Sequence, residues 1–168
     1  LFLLALESVG KSEFGSSNNY AESDLKKAVE KWLEDMDKRG LDNAKLIPRE
    51  IDLTTLDGSG CYGKLSVKAA PLTLDEARKY ADIIPNAERG CWLATGWSGP
   101  SKSDSDLALC VNFNGDWFSS SCSGSSGIRP ALKVPSILFE DSEAGLDLSK
   151  VPTDDLLQEI HRRLAEKA

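Results

Sequence analysis

Between residues 24 and 36 the apolar side chains recur at helical spacing. Leu25, Ala28, Val29, Trp32, Leu33 and Met36 follow i, i+3, i+4, i+7, i+8 and i+11, a stripe that faces a core. Ser23 stands at the N-cap, Asp24 opens the segment, Lys38 and Arg39 close it in agreement with the helix dipole, and Gly40 supplies the stop. The pattern predicts one amphipathic helix with Trp32 in its core stripe. A shorter helix is predicted from Thr73 to near Ala81. Thr73 and Glu76 make a capping box, and Leu72 and Ala77 stand where a hydrophobic staple belongs.

The remaining apolar runs are short. Residues 1–6 (LFLLAL) lack a basic flank and a cleavage site, and read as a buried strand rather than a signal peptide. Residues 7–22, with Gly10, Gly15 and SSNN, read as a loop. A short strand is expected at Glu50–Leu53, and Lys64–Ala70 alternates as a single strand ending at Pro71. Cys91–Gly96 reads as a buried strand with Trp92 in the core, and 97–106 as a polar loop.

Leu107–Phe113 and Asp116–Cys122 flank Asn114–Gly115, which predicts a hairpin closed by a type I′ turn. That turn would pair Phe113 with Asp116, Asn112 with Trp117, Val111 with Phe118 and Cys110 with Ser119. Leu109, Val111, Phe113 and Phe118 would then face the core, and Cys110, Asn112, Trp117 and Ser119 the opposite side. Cys110 and Cys122 would lie on opposite faces, unable to bond to each other. Residues 123–127 read as a loop. Ile128–Val134 reads as a last strand, with Pro130 suited to an edge or a strand start. Together these elements predict an α+β domain over 1–134. Residues 135–168 form an extension ending in a helix capped by Thr153, with Leu156, Leu157, Ile160 and Leu164 on one side. That helix either packs back on the domain or pairs with another copy in a homo-oligomer, which would make the chain a structural or assembly protein.

Composition narrows the functional classes. At 168 residues, 40% hydrophobic and 28% charged, the chain can bury a core without disulfides or metal. A net charge of −7 argues against binding nucleic acid or an anionic membrane surface. No run approaches the roughly 20 apolar residues of a spanning helix, so membrane insertion is not expected. Cys61, Cys91, Cys110 and Cys122 form no C-x-x-C pair, and the single histidine, His161, lies far from them, which disfavours zinc. Two disulfides or free thiols both fit. Phosphate-loop spacings are absent, and the acidic stretches at 101–106 and 141–147 do not match a calcium loop. No nucleophile–base set is visible, so no cofactor, metal or catalytic residue is expected.

What remains is a surface. Trp97, Ser98, Ser101, Asp104, Asn112, Asn114, Asp116, Trp117, Ser119, Ser121 and Ser123 combine aromatic area with small, adaptable hydrogen-bonding groups. Recognition loops have this composition, and a protein or glycan ligand is the expected partner. For Trp97 and Trp117, core packing and ligand contact fit equally well.

Trp92-Leu93-Ala94-Thr95, the segment Val111 to Gly115, and Gly127-Ile128-Arg129-Pro130-Ala131-Leu132 resemble the signature W-L-R-S-P-G … G-V-R-P-A-L of an uncharacterised bacterial domain family. Upstream, LFLLAL, NNYAESDLKKAVEKWLEDM and LSVKAAPLTLDEARKY resemble its first strand, first helix and second-helix start, so the likeness spans residues 1–134. The family is similar to the C-type-lectin fold of formylglycine-generating-enzyme-like domains and of the variable proteins of diversity-generating retroelements. The resemblance implies two helices flanking small twisted antiparallel sheets, with a ligand surface on the later loops and strands. It implies a diversified segment at 97–126, a structural Arg129 that orders the preceding loops, and a place at a cell surface, in secretion or on a virion. Ala94 departs from the family's arginine. The calcium-lectin motifs are missing, since Ile84 precedes Pro85-Asn86 and no W-N-D occurs, and the cysteine pattern of formylglycine-generating chemistry is absent.

Overall fold

A computed structural model describes residues 1–136; the expected terminal helix and His161 lie outside the described residues. In chain order the elements are β1 (Phe2–Leu4), β2 (Lys11–Glu13), α1 (Asp24–Lys38), β3 (Arg49–Asp52), β4 (Lys64–Val67) and β5 (Ala69–Pro71). They continue with α2 (Leu74–Lys79), β6 (Cys91–Gly96), β7 (Leu107–Val111), β8 (Trp117–Ser121), β9 (Ser125–Gly127) and β10 (Pro130–Lys133). Two helices among short strands make an α+β architecture. The strands form three sheets, ordered β1-β10-β5, β2-β9-β6-β7-β8 and β3-β4. Antiparallel pairing is the rule; β6 and β9 meet in parallel where Cys91 faces Gly127.

Both faces of β6 and β7 are covered, which is why CWLATG is apolar apart from Thr95, whose hydroxyl accepts from Leu74 N at 2.9 Å. Trp92, Ala94, Ala108 and Cys110 belong to the larger core cluster, beside Leu25, Val29, Leu33 and Met36 of α1. Leu93 and Leu109 belong to a second cluster with Leu72, Leu74 and Ala77 of the α2 region. Trp92 is the largest fully buried side chain of the larger cluster. It is 1% exposed, meets the Phe14 ring edge-on at 5.4 Å, and its Nε1–H donates to the Ser12 carbonyl at 2.8 Å. Trp32 is partly buried at the rim of the same cluster.

The helix signals act as expected. Ser23 Oγ accepts from Lys26 N at 2.9 Å, and Gly40 leaves α1 with φ +105°. The capping box at Thr73 and Glu76 is complete in both directions. Glu76 also carries a contact that the sequence pattern does not announce. Its Oε1 pairs with Nη1 of Arg49, whose side chain is 1% exposed. Nη2 of Arg49 donates to the carbonyls of Ala70 (2.9 Å) and Pro71 (3.0 Å), and the guanidinium lies 5.3 Å from the centre of the Phe2 ring.

Several expectations are corrected. The loop at 7–22 contains β2 and a 3-10 turn at Tyr20–Glu22, and the loop at 123–127 contains β9. These two strands pair with each other, Lys11 with Gly127 and Glu13 with Ser125, and carry no apolar alternation to betray them. The single strand at 64–70 is two strands in different sheets, because the chain leaves β3 after Val67 and joins β10 at Ala69. Pro130 starts β10, as its missing N–H favours, but that strand is the central one of its sheet, between β1 and β5, and not an edge.

The hairpin is shifted by one residue. Val111 pairs with Trp117, Cys110 with Phe118 and Leu109 with Ser119. Asn112 is the cause. Its N–H donates to the Asp116 carbonyl at 2.9 Å, and its Oδ1 accepts from Asn114 N (2.8 Å) and Asp116 N (2.9 Å). The turn therefore holds three residues, Phe113 to Gly115, and positive φ falls on Gly115 alone, at +87°. Cys110 stays on the side opposite Leu109 but is fully buried, because both faces of β7 are covered. The shift moves Phe118 to the Cys110 side and leaves Phe113 in the turn, so the two are 42% and 60% exposed instead of core. Cys110 and Cys122 lie in the same core cluster, yet all four cysteines are free thiols.

Glu76→Ala leaves Arg49 as a buried charge without its carboxylate and removes half of the capping box. Urea unfolding should show a loss of about 3–5 kcal/mol. The double variant Arg49→Met/Glu76→Gln should lose clearly less; an equal loss would mean that the pair is not the source of the effect.

Candidate functional site

The register divides the predicted surface in two. Trp97, Ser98, Ser101 and Asp104 lie at the Leu107 end of β7, as do Ser121, which pairs with Leu107, and Ser123. Asn112, Asn114, Asp116 and Trp117 lie at the Val111 end. The strand between them has five residues, and at about 3.4 Å per residue the groups stand roughly 14 Å apart. Ser119 sits between them, opposite Leu109 and half-buried.

The first group is largely framework. Leu56 N donates to the Gly96 carbonyl (3.0 Å) and Asp57 N to the Trp97 carbonyl (3.2 Å). Asn18, 1% exposed, donates through Nδ2 to the carbonyls of Ser98 (2.9 Å) and Leu107 (3.0 Å) and accepts from the Tyr62 hydroxyl (2.7 Å). Ser98 is itself buried, at 2% exposure, and Trp97 packs half-buried against the smaller core cluster. Lys102 Nζ reaches Asp57 Oδ2 at 2.7 Å. Ser101 and Asp104 are exposed, and Ser121 and Ser123 share a hydrogen bond of 3.0 Å. The loop at 97–106 is thus pinned by the 55–62 segment and by Asn18. Asn18 sits in a polar SSNN run that looks like any loop, and only its long-range partners reveal its role.

The second group borders a cleft. Between the α2 side (Leu72, Ala77, Ala81, Ile84, Pro85) and the sheet side (Cys91, Leu93, Val111, Trp117) lies a half-open cavity of about 100 Å³. Asn112 and Gly115 of the hairpin, and Leu4 and Arg129 of the β1–β10 region, complete its lining. Trp117 is 42% exposed, with the Arg78 guanidinium 5.5 Å from its ring centre. Asn114 and Asp116 are exposed at the hairpin tip beside it.

Arg129 departs from its expected role. Its Nε donates to the Ala5 carbonyl at 2.8 Å, just past β1, and not to the 97–126 loops. The residue is 8% exposed, Nη2 is buried without a hydrogen-bond partner, and among the described residues no carboxylate lies within ion-pair distance. Burial lowers the pKa of this guanidinium, opposed by the charges of Cys91 and Glu7. Burial also raises the Cys91 thiol, with Arg129 pulling the other way, and pushes Cys110 and Cys122 up to about 12. Among the described residues no group of three or more Cys, His, Asp or Glu side chains could hold a metal ion, and no helix is long and apolar enough to cross a membrane.

Comparison with protein-family models, with curated proteins and with solved structures finds no match to this chain.

Two outcomes follow from these environments. At about pH 8, iodoacetamide should place one adduct on the native protein, on exposed Cys61, and reach all four thiols only after unfolding. Mass spectrometry of tryptic peptides reads this, and rapid native labelling of Cys110 or Cys122 would contradict it. The hydrogen bonds from Lys102 and Thr55 hold the Asp57 carboxyl well below the usual aspartate range. Its contact with the 97–106 loop is therefore complete above that range and lost only as pH falls through the depressed value. Carboxyl NMR should show this low titration, and Lys102→Ala should move it upward; an unmoved titration would remove Lys102 as its main cause.

Proposed function

We propose that the chain is a ligand-binding module, C-type-lectin-like in fold, of the kind displayed by variable proteins of diversity-generating retroelements. Its recognition surface is the cleft beside α2 together with the β7–β8 hairpin tip. The observation that carries this reading is the exposure of Phe113 (60%) and Trp117 (42%) beside an apolar cleft, on a turn fixed by Asn112. Exposed aromatic area that costs little ordering entropy is what a recognition surface needs. The two helices, the small sheets and the late position of the hairpin support the lectin-like part of the proposal. Ser98 is buried, so it leaves the proposed surface, and Trp97 contributes mainly packing.

Random peptides displayed on phage and panned against the protein should enrich defined sequences. The variant Phe113→Ser/Trp117→Ser should lose that enrichment while its thermal midpoint stays close to the wild type. Enrichment retained by the folded variant, or none on the wild type, would remove this surface. In sibling isolates, adenine-templated codon changes should fall on Ser101, Asp104, Phe113, Asn114, Asp116 and Trp117 and spare Ser98, Ala108, Cys110 and Cys122. Uniform codons throughout would end the diversified version.

A further inference from the structure

We propose that the cleft between α2 and strands β6–β8 captures the chain-end carboxylate of a peptide whose last residue is a branched aliphatic, with Arg129 receiving the carboxylate. The proposal rests on the ligand-binding reading above and gives that ligand a chemistry.

The charge argument comes from comparing two buried arginines. Arg49 has Glu76 as its counter-ion and two backbone carbonyls as acceptors, with its Nε left unpartnered. Arg129, 8% exposed and part of the cleft lining, has one hydrogen-bond partner, the Ala5 carbonyl, and no counter-ion; its Nη2 is unpartnered but closed off from solvent, so a ligand in the cleft meets the guanidinium's charge and reaches Nη2 only if the side chain turns. Glu7, whose Oε2 accepts from Glu88 N at 2.9 Å, pulls on it from beyond ion-pair distance and offsets part of the burial cost without pairing with it. A desolvated guanidinium without an anion is unfavourable, and a carboxylate entering the cleft supplies both charge and acceptors.

Size and lining select the group attached to that carboxylate. Leu72, Ala77, Ile84, Leu93 and Val111 present carbon to the cavity, whose volume is about 100 Å³. An apolar cavity of about 150 Å³ takes benzene, so this smaller, half-open one suits a side chain such as leucine or valine. The mouth selects the source. Trp117 (42% exposed) lines it, and Ile83 (76%) and Phe113 (60%), next in sequence to the lining residues Ile84 and Asn112, add exposed apolar area that a free acid of this size would leave in water. The residues preceding a peptide's C-terminus would cover it.

The test uses the full chain and a fluorescein-labelled peptide, Gly-Ser-Gly-Ser-Phe-Leu, as free acid and as C-terminal amide, read by fluorescence anisotropy. The acid should bind saturably, and the amide at least about tenfold more weakly. Arg129→Gln should abolish the difference. Should that variant fail to fold, Ala81→Trp fills the cleft from an exposed lining position, leaves Arg129 in place, and should also abolish binding. Equal affinity for acid and amide, or unchanged binding by Ala81→Trp, would overturn the proposal. N-acetyl-leucine binding as tightly as the peptide would overturn the assignment to a chain end. If the acid peptide fails to bind while panned sequences still depend on Phe113 and Trp117, this inference falls and the ligand-binding reading stands. If panning enriches nothing, that reading falls as well.

Discussion

The buried guanidinium of Arg49 constrains more of this molecule than any other single group. It sits at the junction of the two smaller sheets and the start of α2, holding the carbonyls of Ala70 and Pro71 while Glu76 neutralises it. Glu76 in turn closes the cap at Thr73, so one carboxylate serves the helix start and the buried cation together. Taking both charges out of water is costly, and an apolar pair of similar volume often serves stability as well. What the ionic pair fixes is position. It sets α2 over the β6–β7 face, and α2 with the segment after it is one wall of the cleft.

The central sheet works under a different constraint. With α1 on one face and α2 on the other, β6 and β7 are buried on both sides, whereas β8 on one flank and β9 and β2 on the other are free to be polar. Its serines and two aromatics occupy an outer strand that one neighbour alone holds. The hairpin tip extends beyond the covered part of the sheet, which is why Phe113 can be exposed without weakening the core. Framework and display are thus separated within a single hairpin.

Legibility in the sequence follows the range of the interactions involved. α1 and the capping box of α2 are set by residues three or four apart, and both are readable to within a residue or two. Trp92 is recognisable as core because its strand is apolar in all but Thr95. β2 and β9 escape notice because their pairing is backbone alone, with Lys11, Ser12, Ser125 and Ser126 giving no pattern. The hairpin register misleads because Asn114–Gly115 signals a two-residue turn, while the Asn112 side chain stabilises a three-residue one. The candidate surface inherits some of that error. Trp117 and Asn112 do border a cavity, but the α2 wall, Cys91 and Arg129 reach it from distant stretches of the chain, and no local spacing records their meeting.

The pairing of β1 with β10 has a mechanical consequence. Leu1 N lies 2.7 Å from the Val134 carbonyl, and Phe2 faces Lys133, so the ladder begins where both ends of the described chain leave it. Tension applied between those two ends acts across the strands, along the hydrogen bonds, and loads the outermost pair first. The bonds would break in succession instead of sharing the load as they do when strands are pulled lengthwise. Under such a pull the domain opens at its own seam, β1 peels from β10, and the hairpin on the far sheet is not in the line of force.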